Sequence, residues 1–126
     1  MSFTLLVPAD DSLPIVPREL SEGGTVSAQA RQLFGGLWEV VRARDLNQLA
    51  PELWPVMLVD ENGHGKGLPL NRRGGELYGA DAIAGDVLIC QERRTSFWVD
   101  ELRSFTQEEA ERLRDLLFRQ TGRGRG

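Results

Sequence analysis

Three glycine pairs, Gly23-Gly24, Gly35-Gly36 and Gly74-Gly75, punctuate this 126-residue chain and limit how long any helix across them can be. Each glycine inside a helix costs roughly 1 kcal/mol relative to alanine. The segment from Ser27 to Arg44 therefore divides: a short helix capped by Ser27 closes at Gly35-Gly36, and Leu37 to Ala43 follows as a strand rich in β-branched and aromatic residues. The alternative, one helix through both glycines, is the weaker reading.

The other apolar runs are short as well. Phe3 to Val7 reads as a first strand, stopped by Pro8 and the acidic pair Asp10-Asp11. Leu13 to Arg18 reads as a second strand, hairpinned to the first around Ala9–Ser12. Pro14 and Pro17 confine it to a sheet edge, because proline cannot donate to a ladder. Asp45 to Trp54 is a connection with one helical turn, and Pro55 to Val59 a buried strand. Asn62-Gly63 has the composition of a type I′ hairpin turn, with a brief return from Lys66. Asn71 is a helix N-cap, Gly79 a helix end, and Gly74-Gly75 weaken the helix between them. Ala82 to Ile89 contains a further strand. Glu92 to Thr95 reads as a tight turn, and Thr95 to Val99 as the last strand.

The final segment has the strongest local signature. Thr106 and Glu109 form a capping box, with Phe105 and Ala110 as its hydrophobic staple. Ala110, Leu113, Leu116 and Leu117 make an apolar stripe. Glu108 with Arg112, and Asp115 with Arg119, have i,i+4 spacing. These elements predict an α+β fold: a mostly antiparallel sheet of about six short strands with two or three helices packed on it. Length predicts one domain, residues 1–120, followed by a disordered tail, residues 121–126.

Charge and composition narrow the function classes. The net charge is −4 and 40% of residues are apolar, which weighs against non-specific nucleic-acid binding and against a disordered chain. Of the 15 basic residues only Lys66 is a lysine. The single cysteine, Cys90, ends an apolar run and reads as a small buried hydrophobe. No segment has the length and apolarity of a membrane span, and the N-terminus lacks a basic signal-peptide region, so a cytoplasmic protein is expected. His64 is the only histidine and sits among turn residues. A zinc site, a Ser-His or Cys-His nucleophile and a phosphate loop are all poorly supported, and no metal or cofactor is expected.

The residues most suggestive of function are Asn71-Arg72-Arg73. Arginines in a helix's first turn oppose its dipole. Either a bound anion answers them or an internal partner does, Glu39, Asp60 or Glu76 being the candidates, with carbonyl contacts that clamp a loop as a further form of the internal answer. The expected function is a non-enzymatic accessory protein that binds a protein partner or a small anionic ligand through the Lys66–Tyr78 region. Asn71 would cap, Arg72 and Arg73 would bind the anion or clamp a loop, and Lys66 and Tyr78 would complete the site. The alternative is a nucleic-acid-binding module using Arg72, Arg73, Arg93 and Arg94. Trp38, Trp54 and Trp98 pack in the core or on the sheet in the first case, and Trp stacking on bases belongs to the second. Oligomeric state is open, since the edge strand at Pro14–Arg18 could pair with a copy of itself although its prolines discourage it.

Several motifs, in order, resemble a small bacterial and phage family known as domain of unknown function thirty-eight forty-six. They are Val7-Pro8-Ala9-Asp10, Gly35-Gly36 before Trp38-Glu39-Val40-Val41, Val59-Asp60-Glu61-Asn62-Gly63, Gly67-Leu68-Pro69 with Asn71-Arg72-Arg73, and Ile83 to Ile89. The resemblance spans roughly Leu5 to Cys90. Family members commonly carry alanine and threonine where this chain has Gly74-Gly75. The resemblance implies carriage on phages, plasmids or bacterial chromosomes, and it implies no catalytic residue.

Overall fold

A computed structural model describes residues 1–94 and 100–122, with side chains described for 1–93 and 101–120. In chain order the elements are β1 (Phe3–Val7), β2 (Val16–Glu19), α1 (Val26–Phe34), β3 (Trp38–Val41), α2 (Arg44–Leu49), a 3-10 turn (Pro51–Leu53), β4 (Pro55–Asp60), α3 (Arg72–Tyr78), β5 (Val87–Arg94), β6 (Asp100–Arg103) and α4 (Gln107–Gly122). The six strands form one antiparallel sheet in the order β2-β1-β5-β4-β3, with β6 also on β5. The α+β class and the antiparallel sheet are as the sequence predicts, with four α-helices rather than two or three.

β5 is long enough to serve three neighbours. Its first half pairs with β1 (Val87 with Val7, Ile89 with Leu5) and its second half with β6 (Gln91 with Arg103, Arg94 with Asp100). Both lie on one flank, and β4 runs along the other (Leu88 with Leu58, Gln91 with Pro55). Alternation then sorts the side chains to two faces. Leu5, Val7, Met57, Val59, Val87 and Ile89 point to a core closed by α2, α3 and α4. Val56, Leu58, Leu88 and Cys90 point to a smaller core closed by Val26, Ala30 and Phe34 of α1. Helices on both faces explain why all six residues of β4 are buried.

Several local expectations need correction. Thr25, not Ser27, caps α1: its backbone is extended (φ −113°, ψ 160°) and its Oγ1 accepts the Ala28 N–H at 3.1 Å. Ser27 is already inside the first turn, where its backbone cannot take the extended conformation of a cap. Gly35 ends the helix in the left-handed conformation (φ 67°), as expected. Asn62-Gly63 forms no type I′ hairpin, since neither residue has a positive φ. Both edges of β4 are occupied by β3 and β5, so a returning strand has no partner there. Instead the Asp60 carboxylate accepts the Asn62 N–H at 2.8 Å, and consecutive turns wind through Leu68.

Glu92, Arg93 and Arg94 belong to β5 and are not a turn, because β6 supplies a ladder partner for each. The strand expected at 95–99 lies outside the described residues; the strand that completes this hairpin is β6. Pro17 does sit in an edge strand. The α4 capping box forms in both directions: Glu109 N–H to Thr106 Oγ1 at 3.1 Å, and Thr106 N–H to Glu109 Oε1 at 2.9 Å. Ala110, Leu113 and Leu117 are fully buried. Arg112 reaches across to Glu52 at 2.5 Å, and Arg114 leans on Asp115 at 3.3 Å. α4 continues to Gly122, two residues into the segment expected to be tail, and residues 123–126 lie outside the described chain.

Candidate functional site

Asn71 is a helix cap that does more than cap. Its backbone is extended and its Oδ1 accepts the Gly74 N–H at 2.9 Å. Its Nδ2 donates to the Val7 carbonyl at 2.9 Å and to the Gly85 carbonyl at 3.0 Å. Its own N–H donates to Ile83 O at 2.8 Å. One buried amide therefore ties the start of α3 to the end of β1 and to the approach of β5. A side chain with a donor and an acceptor at the same distance from Cα is needed for this, and asparagine provides both.

Arg73 follows the same direction. It is 5% exposed, and its Nη2 donates to the carbonyls of Pro8 at 2.9 Å and Asp10 at 3.2 Å. Its Nε lies 4.0 Å from Asp11 Oδ1. Arg72 donates through Nε to Asp11 Oδ2 at 2.6 Å and through Nη1 to Glu76 Oε1. The hydrogen bond to Asp11 raises the Arg72 pKa by favouring the charged form, with Glu76 adding to it against the cost of burial. Of the answers open for the doublet, the internal one is what the geometry shows. Arg73 clamps the loop after β1 through carbonyls, and Arg72 pairs with Glu76, one of the three candidate carboxylates, and with Asp11, which the sequence marks only as a strand stop.

Gly74 and Gly75 have a reason to be there. Both are buried, and a Cβ on Gly75 would stand 2.9 Å from the Ala80 carbonyl oxygen. The pair lets α3 press against the chain that leaves it.

Lys66 points elsewhere. Its Nζ donates to Asp60 Oδ2 at 2.7 Å and to the Phe34 carbonyl at 3.0 Å, so it binds the C-terminal end of α1, where a cation suits the helix dipole. Burial alone would raise the Asp60 pKa; hydrogen bonds from Lys66 and from the Asn62 N–H outweigh it, and the net shift is downward. His64 Nε2 lies 2.7 Å from the Ala82 carbonyl. A carbonyl only accepts, so Nε2 carries the proton. Next to this bracing is a cleft of about 210 Å³ lined by Leu33, Phe34, Leu68 and Pro69, with Asp60 and Asp86. Asp86 holds the Ala9 N–H at 2.9 Å.

Tyr78, at the far end of α3, is exposed, as are Leu68 and Leu70. Thus the structure gathers Asn71, Arg72 and Arg73 at the loop after β1, sends Lys66 to α1, and leaves Tyr78 outward. Arg93 is distant from the doublet. The doublet braces the chain just beyond Val7, which pairs with Val87, whereas Arg93 is six residues further along β5, roughly 20 Å at about 3.3 Å per residue. The Arg94 side chain lies outside the described residues.

Cys90 is fully buried and its thiol is pushed up to about 12, by burial first and by the Glu92 charge second. Trp38 is half-buried against the α1 core, as a sheet-packing residue. Trp54 is not: it is 63% exposed. Trp98 lies outside the described residues. Among the described residues, no group of three or more His, Cys, Asp or Glu is placed to hold a metal ion, and no helix is long and apolar enough to cross a membrane.

No protein-family model matches this chain, and no curated protein or solved structure does either.

Proposed function

We propose that this chain is a small accessory protein of the cytoplasm that acts by binding, and that its partner is a protein docked on the Lys66–Tyr78 surface. The observation that carries this reading is an exposed apolar set on an immobilised backbone. Leu70 is 54% exposed and Tyr78 49%, while the chain between them is anchored by the buried amide of Asn71 and the buried guanidinium of Arg73. A surface already fixed in shape loses little conformational freedom on association, and tyrosine is a frequent interface anchor. The cations of the region are engaged by Asp11, Glu76, Asp60 and backbone carbonyls, which weighs toward a protein partner and away from a free anion. The likeness to the phage and bacterial family supports an accessory role carried on a mobile element or a chromosome.

The test is a photo-crosslinking amino acid placed at Tyr78 in the full chain in its host, with Arg31 on α1 as a control position. A discrete crosslinked protein is expected from position 78, absent from position 31 and lost when Leu70→Ser is added. Equal products from both positions would refute the surface. A rise in melting temperature with inorganic phosphate that Arg72→Gln abolishes would refute the protein-partner reading in favour of anion binding.

A further inference from the structure

Trp54 is the one described non-glycine residue with a positive φ (φ 50°, ψ 53°). For a bulky side chain this left-handed backbone costs about 1–2 kcal/mol, and such outliers concentrate where a site demands them. The conformation is held at both ends. The Trp54 N–H donates to Pro51 O at 3.2 Å, and its carbonyl accepts the Glu92 N–H at 2.9 Å. A large apolar side chain is thereby fixed at its base and turned into solvent, at the point where the 3-10 turn hands over to β4.

Trp54 lines two clefts. The larger, about 570 Å³, is lined by Glu52, Trp54, Gln91, Arg93 and Glu109. The smaller, about 290 Å³, lies against Arg42, Arg44, Asn47 and Glu92. The larger has the size of a small-molecule site. Gln91 and Arg93, two apart on β5, share the face that carries α4. Glu52 already pairs with Arg112, and Glu109 with the Thr106 N–H, yet a carboxylate has about four lone-pair positions and retains acceptor capacity. Arg93 differs: among the described residues its guanidinium makes no ion pair. In the smaller cleft the corresponding charges are matched, since Arg42 grips Glu92 through Nε at 2.8 Å and Nη2 at 2.5 Å.

The larger cleft thus offers an aromatic platform, a cation without an ion pair among the described residues, an amide and two acceptor carboxylates. A ligand that answers all of these has a flat ring for the indole, N–H donors for the carboxylates and an anionic group for Arg93. We propose that the Trp54 cleft binds a small heteroaromatic anion of the nucleoside monophosphate class, with its ring stacked on the indole and its phosphate on Arg93. Stacking on an aromatic tolerates any base, while the guanidinium fork matches a phosphate in two contacts.

The test titrates the full chain with AMP, GMP, CMP and UMP at low salt and follows the indole N–H resonances, with Trp54→Phe identifying the signal of Trp54. A saturable shift of the Trp54 signal is expected, with Trp38 unmoved. Arg93→Gln should weaken the monophosphates about ten-fold and leave the parent nucleosides unchanged. Trp54→Gly should abolish both while keeping or raising the melting temperature, since glycine takes the left-handed backbone at no steric cost. The proposal fails if none of the four gives a saturable shift, or if the shift survives in Trp54→Gly. It also fails if inorganic phosphate binds as tightly as the nucleotides, or if only single-stranded oligonucleotides bind.

Discussion

Asn71 ties together three parts of this structure with one side chain. Its amide meets α3, β1 and the approach to β5 at distances of 2.9 to 3.0 Å. Two substitutions separate its roles. Asn71→Ala removes the cap and both donors, and leaves the Val7 and Gly85 carbonyls with less company; a loss of about 2–4 kcal/mol is expected. Asn71→Asp retains the cap oxygen but turns a second oxygen toward those same two carbonyls. Although aspartate is an excellent N-cap in isolation, it should cost at least as much here. Urea unfolding of the two variants checks this, and an aspartate variant as stable as the native chain would show that the donors matter little. The role of Asn71 as cap was legible from the sequence, because capping is a local property. Its other two contacts bridge 14 and 64 residues, and nothing in the neighbouring residues encodes them.

At the scale of elements, α3 shows how a local rule can be right and yet mislead. Gly74-Gly75 weaken a helix by propensity, and replacing either with alanine would ordinarily stabilise it by up to about 1 kcal/mol. The tertiary setting reverses the sign at Gly75, whose added Cβ would meet the Ala80 carbonyl at 2.9 Å. Gly75→Ala should therefore lower the melting temperature. Gly36→Ala, with nothing within 4 Å of its added Cβ, should leave it unchanged within about 0.5 kcal/mol. The comparison in one thermal melt distinguishes packing from propensity. The elements that were read correctly, β1, β4, the end of α1 at Gly35 and the capping box of α4, are those whose signals lie within a few residues. The α1 cap, at Thr25 rather than Ser27, was misplaced by two residues on local grounds, whereas two other misplacements depended on remote partners. β5 extends through Glu92-Arg93-Arg94 because β6 waits beside it, and Asn62-Gly63 fails to make a hairpin because β3 and β5 already flank β4. The candidate site divides the same way: the doublet at Arg72-Arg73 stood out in the sequence, whereas its partner Asp11 is 61 residues from Arg72, and the exposure of Trp54 rests on a backbone conformation that composition does not report.

Across the whole molecule, β5 and β4 both have neighbours along both flanks and helices over both faces. Amides in such a position open only when the sheet does. Native-state hydrogen exchange should find the slowest amides in Val87 to Cys90 and in the facing residues of β4, and markedly faster ones in β2, an edge strand of four residues with a proline in it. Uniform exchange across the sheet would show that β5 is no more protected than the edges.

β5 also couples segments far apart in the sequence. β1 lies on β5 beside β6, and Phe3 exchanges backbone hydrogen bonds with Phe105 at 2.9 and 2.7 Å. A ribosome making this protein releases its first strand long before the segment that will seat it. β2 can pair with β1 soon after it is made, but the place of β1 on β5 and the Phe3–Phe105 seam must wait, and the seam closes only once Phe105 has emerged. Nascent chains stalled before Phe105 clears the exit tunnel would lack the seam that joins the first residues to the last helix.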